Sequence, residues 1–313
     1  MKVAVKFSVA FLLIITSISC EKEVVTRTYK AKNVIIIVID GARYSETWGD
    51  STHQNIPRIA GQLSKYGVIN SQFYNDGPTY TMAGHTSITT GFYQEINNSG
   101  QELPNQPSFF QYFNAEYIDS VETSWIISSK DKLEVLANCQ STDFADKFKP
   151  FTNCGISGLS SGYREDSITF KVAMQVLSEH HPNIAFISFK EPDHSAHAGI
   201  WDNYLLGIKS TDEYAYQLWD YIQSDSVYKG NTALFITNDH GRHLDSIPGG
   251  FTAHGDNCFG CRHIMFYAFG PDFKQGEILD KHRGLIDITA TISEILHIDM
   301  PDNRGEVMVE LFR

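Results

Sequence analysis

The sequence predicts an α/β fold, a three-layer sandwich with a mostly parallel central sheet flanked by helices. Three observations predict it. Residues 33–39, NVIIIVI, form an unbroken β-branched run that suits a strand buried on both faces. Comparable apolar runs recur at Ser124–Ser128, Asn183–Phe189, Thr232–Thr237 and His263–Phe269. Helical periodicity lies between them, at Ile56–Tyr66, Tyr163–Glu179, Thr211–Ile222 and Leu285–Ile298. Strands alternating with helices mark a parallel sheet covered on both faces.

In chain order, the first segment reads as an address. Lys2 and Lys6 precede an apolar run from Phe7 to Ile18. That run is shorter than the ~20 residues that span a bilayer, and it suits a signal-peptide core. It ends in Ser17-Ile18-Ser19-Cys20, which resembles a bacterial lipobox with Ser17 in place of the usual Leu. The resemblance implies cleavage before Cys20, lipidation of its thiol, and a membrane lipoprotein facing the periplasm or the cell surface. An ordinary secretory signal cut nearby is the other reading. Residues 1–19 are therefore expected to be a signal peptide and 20–32 a lipid anchor and polar tether. Residues 33–313 are expected to form one domain, because no Pro/Gly-rich linker divides them. Residues 92–120 and 138–162 are poorest in periodicity and are expected to be loops or small insertions over the site.

The 313 residues carry 25 Lys+Arg against 37 Asp+Glu, a net charge of −12. Without residues 1–19, which hold two lysines and no carboxylate, it becomes −14. No basic stripe is present, so a duplex nucleic acid is excluded as the general partner. In an oxidising compartment the four remaining cysteines suggest disulfides. Cys139–Cys154 and Cys258–Cys261 are the simplest pairing. The Cys258–Cys261 CxxC also admits a redox or metal-binding reading.

Ligands of open α/β sheets bind beyond the carboxyl ends of the strands. There the first strand ends in Asp40. The Asn183–Phe189 strand is followed by Asp193 and His197. The Thr232–Thr237 strand leads to Asp239-His240-Gly241, and then to His254. Carboxylates and imidazoles are the ligand set of zinc and related divalent ions. Residues 77–92, GPTYTMAGHTSITTGF, add a turn that opens a short helix. A hydroxyl at a helix N-terminus sits in positive potential beside free backbone N–H groups, and a metal can activate it as a nucleophile. Thr81 fits that role, whereas Thr79 and Thr86 read as helix-capping residues.

These pieces, in this order, resemble the alkaline phosphatase superfamily, and within it the nucleotide pyrophosphatase/phosphodiesterase branch. The match comprises Ile37–Gly41, Pro78–Thr81 leading to His85 and Thr90-Gly91, Glu191–Asp193 with His197, Asp239–Gly241 and His254-Gly255. Gly270-Pro271 and Asp287–Ile292 complete it. The resemblance implies two divalent metal ions, zinc being the expected metal. Asp193, His197 and His254 would hold one ion. Asp40, Asp239 and His240 would hold the other, with Thr81 bound to it as the nucleophile. The implied reaction is hydrolysis of a small phosphate ester through a phosphothreonine. One departure stands out. The branch usually carries Pro-Asn two and three positions after the nucleophile, and here those positions are Ala83 and Gly84. A sulfatase-type hydrolase is the nearest alternative, but it needs a Cys or Ser in a Cys/Ser-x-Pro-x-Arg motif that is not found around Thr81. A non-catalytic ligand-binding surface lipoprotein predicts a damaged metal set, and all seven positions are filled. Substrate identity, monoester against diester preference and oligomeric state stay open.

Overall fold

The computed structural model describes residues 27–117 and 123–313. The expected signal peptide, Cys20 and most of the tether lie outside the described residues. Among the described residues, no helix is long and apolar enough to cross a membrane.

Chain order runs β1 (Asn33–Ile39), β2 (Gly67–Tyr74), α1 (Thr81–Thr90), α2 (Phe109–Glu116), β3 (Ser124–Ser128) and β4 (Phe151–Cys154). It continues with α3 (Asp166–His180), β5 (Ile184–Phe189), α4 (Asp193–His197), α5 (Trp201–Ser224), β6 (Thr232–Thr237), α6 (Phe259–Arg262) and β7 (His263–Phe269). The chain closes with β8 (Glu277–Leu279), β9 (Arg283–Gly284) and α7 (Leu285–Leu296). The sheet order is β4-β3-β5-β1-β6-β7-β2-β8, with β9 beside β2. All pairings from β4 to β6 are parallel, and only β7 runs against its neighbours β6 and β2. The expected mostly parallel sheet is present.

Alternation along β1 explains the layers. Val34, Ile36 and Val38 pack on one face with α1, α2 and α7 residues such as Ile88, Phe110 and Ile292. Ile35, Ile37 and Ile39 pack on the other with α3 and α5 residues such as Leu177, Ile208 and Leu218. A strand with both faces covered has no use for polar alternation, so its sequence is apolar throughout.

The structure refines the secondary-structure reading in three segments. The expected helical pattern at Ile56–Tyr66 is present, as a π-helix at Ile59–Leu63 followed by a 3-10 turn at Ser64–Tyr66. The buried Asp212 carboxylate accepts the Arg58 and Ile59 N–H groups and fixes the entry to this segment. The expected loop 92–120 contains α2, which Ser108 and Gln111 open with a capping box. The expected loop 138–162 contains the edge strand β4.

Candidate active site and metal centre

Every expected ligand lies at the carboxyl edge of the central strands, where the parallel β5-β1-β6 register places their ends side by side. Asp40 follows β1, Asp193 opens α4 after β5, and Asp239 and His240 follow β6. His254 comes back from the long segment between β6 and β7. Thr81 is the first residue of α1 and is buried.

The ligand atoms converge in two groups, Asp40–Asp239–His240 and Asp193–His197–His254, each within 4.8 Å of one another. In the first group, His240 Nε2 lies 3.6 Å from Asp40 Oδ1 and 3.4 Å from Asp239 Oδ2. These three atoms are buried and have no hydrogen-bond partner. Buried polar atoms left unpaired are costly, and atoms of this kind aimed at one point fit a cation. His240 Nδ1 lies 2.8 Å from Gly241 O. A carbonyl only accepts, so Nδ1 carries the proton and Nε2 presents its lone pair, the usual outer-shell arrangement of a metal-bound histidine. In the second group, His197 Nε2 and His254 Nε2 are 3.0 Å apart. They lie 3.3 and 3.5 Å from Asp193 Oδ1. His254 Nδ1 is fixed by Thr79 O at 2.8 Å. Both donor sets fit a divalent ion.

The two groups differ electrostatically. Burial, followed by the nearby Asp239 carboxylate, pushes Asp40 well above its ordinary range. Burial acts on Asp193 in the same sense, but Lys130, His197 and Arg242 outweigh it and hold Asp193 well below the usual range. Burial also lowers His240, and burial with neighbouring His240 lowers His254. Both imidazoles are thereby kept neutral and able to ligate.

Lys130 and Arg242 are the site residues that sequence reasoning missed. Lys130, after β3, is buried, with Nζ 2.7 Å from both Asp40 Oδ2 and Asp193 Oδ2 and 3.3 Å from Thr81 Oγ1. Burial lowers its pKa, but the Asp193 and Asp40 carboxylates more than compensate and keep the ammonium charged. Arg242 Nη1 pairs with Asp193 Oδ1, and its Nη2 lies 3.4 Å from His197 Nδ1. A third lysine, Lys132, donates to Asn98 O and Oδ1, both at 3.1 Å. Asn98 Oδ1 in turn accepts the Met82 N–H at the start of α1. Burial and neighbouring Lys130 lower Lys132 to about 8.

Other singled-out residues have structural roles. His85 braces α1 between Thr81 O (2.8 Å) and Ser188 Oγ (2.9 Å). Thr79 caps no helix, since its hydroxyl donates to Asp256 O at 2.8 Å. Lys190 is tied to Glu165 at 2.9 Å. The expected disulfides are absent, with all four thiols free. Cys154 Sγ donates to Ile126 O, whereas Cys139 is placed against Gln111 and Ser141. The Cys258 and Cys261 side chains contact each other without a bond between the sulfurs.

Gly84 has a packing reason. A Cβ there would lie 2.4 Å from Asp239 O and 2.9 Å from Asp239 Cβ. Helix α1 therefore packs directly on the ligand-bearing turn, and an Asn at this position has no room. Gly84→Ala is expected to destabilise by about 1–3 kcal/mol through overpacking. It should also weaken metal retention by moving Asp239. Thermal unfolding and metal content measured on the same preparation check both effects.

A covered parallel sheet with this ordered Asp/His set at its carboxyl edge is the arrangement of the alkaline phosphatase superfamily. The family model described as Sulfatase matches residues 32–298, and the chain belongs to that family. Among curated relatives, ectonucleotide pyrophosphatase/phosphodiesterase family member 1 of Mus musculus is 21% identical over 227 residues, covering 68% of this chain and 24% of that protein. The Homo sapiens protein of the same name is 20% identical over the same lengths. The chain thus spans about a quarter of these relatives' length. Among solved structures, phosphonate monoester hydrolase from Silicibacter pomeroyi superposes with a TM-score of 0.66 at 13% identity, covering 88% of this chain and 75% of that one. Murine ectonucleotide pyrophosphatase/phosphodiesterase 5 superposes with a TM-score of 0.63 at 14% identity, covering 90% and 100%. At these identities the superpositions show a shared fold.

Proposed function

We propose that the chain is an exported, metal-dependent phosphoric-ester hydrolase with Thr81 as its nucleophile. One observation carries this reading. Lys130 Nζ touches Thr81 Oγ1, Asp40 and Asp193 together, so the hydroxyl stands at the junction of the two ligand groups. Asp40, Asp239 and His240 would hold one ion, and Asp193, His197 and His254 the other. Two divalent ions, zinc being the expected metal, would supply Lewis-acid charge neutralisation and would lower the pKa of a hydroxyl group or water when bound.

The chain's own groups act as follows. The N-terminus of α1 and the Lys130 ammonium place positive potential around Thr81 Oγ1. The hydroxyl gives its proton to water and attacks phosphorus, the Oγ–P bond forms, and the ester P–O bond breaks, the departing oxygen taking up a proton from water to leave as the alcohol. Water then cleaves the phosphothreonine and regenerates Thr81. Lys130 stays charged throughout, so it stabilises developing negative charge and is no proton acceptor. With no Asn at position 84, Lys130, whose Nζ lies 3.3 Å from Thr81 Oγ1, takes over contact to a phosphoryl oxygen. A mature chain tethered through lipidated Cys20 would act on small esters outside the cell membrane.

Two comparisons support the Thr reading. The murine relative has a threonine-to-alanine form described as inactive and solved in complex with AMP. A sulfatase aldehyde, by contrast, must be made from Cys or Ser. The Thr β-carbon carries a methyl group, so its oxidation would give a ketone.

The charge balance favours a dianionic phosphoryl group. Three ligand carboxylates face two divalent ions, and Lys130 and Lys132 add further positive charge. A panel of nitrophenyl phosphate, bis-nitrophenyl phosphate, a nitrophenyl nucleotide ester and nitrophenyl sulfate tests this through kcat/KM ratios. The monoester is expected to be turned over best and the sulfate least. A diester that outruns the monoester would overturn the charge argument, and a preferred sulfate would overturn the reading itself.

A further inference from the structure

The segment joining β6 to β7, residues 238–262, carries four elements of the proposed site: Asp239, His240, Arg242 and His254. Its regular structure is a 3-10 turn at Gly250–Thr252 and the single-turn α6. Loops of this length in compact domains generally need internal fixing. One cluster provides it. His243, Asp256, Cys258 and Cys261 each offer a ligand atom, and these atoms lie within 4.8 Å of one another. None of the four belongs to the proposed catalytic sets.

The details favour a metal. His243 Nδ1 lies 2.8 Å from Pro248 O, so Nδ1 carries the proton and Nε2 presents a lone pair. That Nε2 is buried without a hydrogen-bond partner, although it lies 3.3 Å from Asp256 Oδ2. The Cys258 and Cys261 thiols contact each other, and both contact the Asp256 carboxylate. Four donors thus face one point from two ends of the segment. The CxxC spacing is that of a zinc half-site, and two thiolates, one imidazole and one carboxylate suit four-coordinate zinc better than calcium or magnesium.

We propose that His243, Asp256, Cys258 and Cys261 form a third metal site, a structural zinc clamp distinct from the catalytic pair. Its position gives it a task. Asp256 O accepts the Thr79 hydroxyl at 2.8 Å, and Thr79 O receives His254 Nδ1 at 2.8 Å. Thr79 stands two residues before the nucleophile. Zinc on the cluster therefore fixes both the His254 turn and the approach to Thr81. Binding displaces the two thiol protons into solvent, and no redox partner is required.

The test uses the purified full chain. After cobalt(II) substitution, a thiolate-to-cobalt charge-transfer band is expected in the wild type and in Asp239→Ala. It should vanish in Cys258→Ser and in Cys261→Ser. The proposed catalytic ligand sets contain no thiol, so this band reports the clamp alone, whatever becomes of the catalytic reading. Zinc content should fall by one equivalent per chain in either cysteine variant. Should those variants fail to fold, alkylation of the wild type decides. Cys258 and Cys261 are expected to be protected when zinc is bound and modified after chelation. The proposal is overturned by equal alkylation with and without chelator, by a missing cobalt band, or by a Cys258–Cys261 disulfide in the intact mass.

Discussion

Thr81→Ala is expected to lower kcat by at least about 10³-fold while the protein keeps its fold and its metals. The substitution removes the hydroxyl at the first position of α1 and leaves the helix otherwise intact. Thr81 Oγ1 receives one long contact, 3.3 Å from Lys130 Nζ, so its loss leaves no strong buried donor orphaned. Lys130 retains both carboxylates at 2.7 Å. The cost to stability should stay within about 1 kcal/mol. Rapid-quench experiments add a direct readout: a phosphorylated chain should form in the wild type and not in Thr81→Ala. Undiminished turnover in the variant would remove Thr81 from the mechanism. Loss of metal together with activity would instead make the residue a structural support.

Legibility from sequence followed the physics of each element. β1, β3, β5, β6 and β7 were visible because strands covered on both faces need continuous apolar runs. β2 was not, because Asn70, Ser71 and Gln72 interrupt it where its register with β7 shifts. The short α2 lay hidden in a region that lacked long-range periodicity. Ile56–Tyr66 was legible as helical from its spacing, whereas the Asp212 carboxylate that accepts the Arg58 and Ile59 N–H groups at its entry lies far away in sequence. Asp40, Asp193, Asp239 and His240 were legible because each comes just after a strand end, where the fold collects polar groups, and His197 and His254 were legible through the ordered motif that they complete. Lys130 follows the end of β3 by the same rule. A lysine in isolation, however, reads as solvent-exposed, and only the fold reveals the two carboxylates that neutralise it. Arg242 and the clamp partner His243 were missed for the same reason: their partners lie on other parts of the chain.

The charge at position 130 is expected to govern the metal-free protein most of all. Lys130→Met keeps the length of the side chain and removes the cation between Asp40 and Asp193. Breaking a buried ion pair by deleting one partner costs about 3–5 kcal/mol, because the remaining charge is left uncompensated. Asp193 keeps Arg242, so the burden falls on Asp40, which burial and Asp239 already push above its ordinary value of 3.8. The sign follows. A carboxyl with a raised folded pKa binds its proton more tightly in the native state, so stability falls as pH rises from the unfolded pKa through the folded one. In chelator, the gap in Tm between Lys130→Met and wild type should therefore be small near pH 4 and widest at alkaline pH. Divalent metal restores positive charge to the same carboxylates, so the gap should narrow in loaded protein. Activity should still drop, by about 10²–10³-fold, because a metal on the ligands does not replace the ammonium beside Thr81 Oγ1. Equal Tm values for both proteins in chelator at pH 8 would show that Lys130 does not neutralise Asp40. Full activity in the loaded variant would show that it does not serve the phosphoryl group.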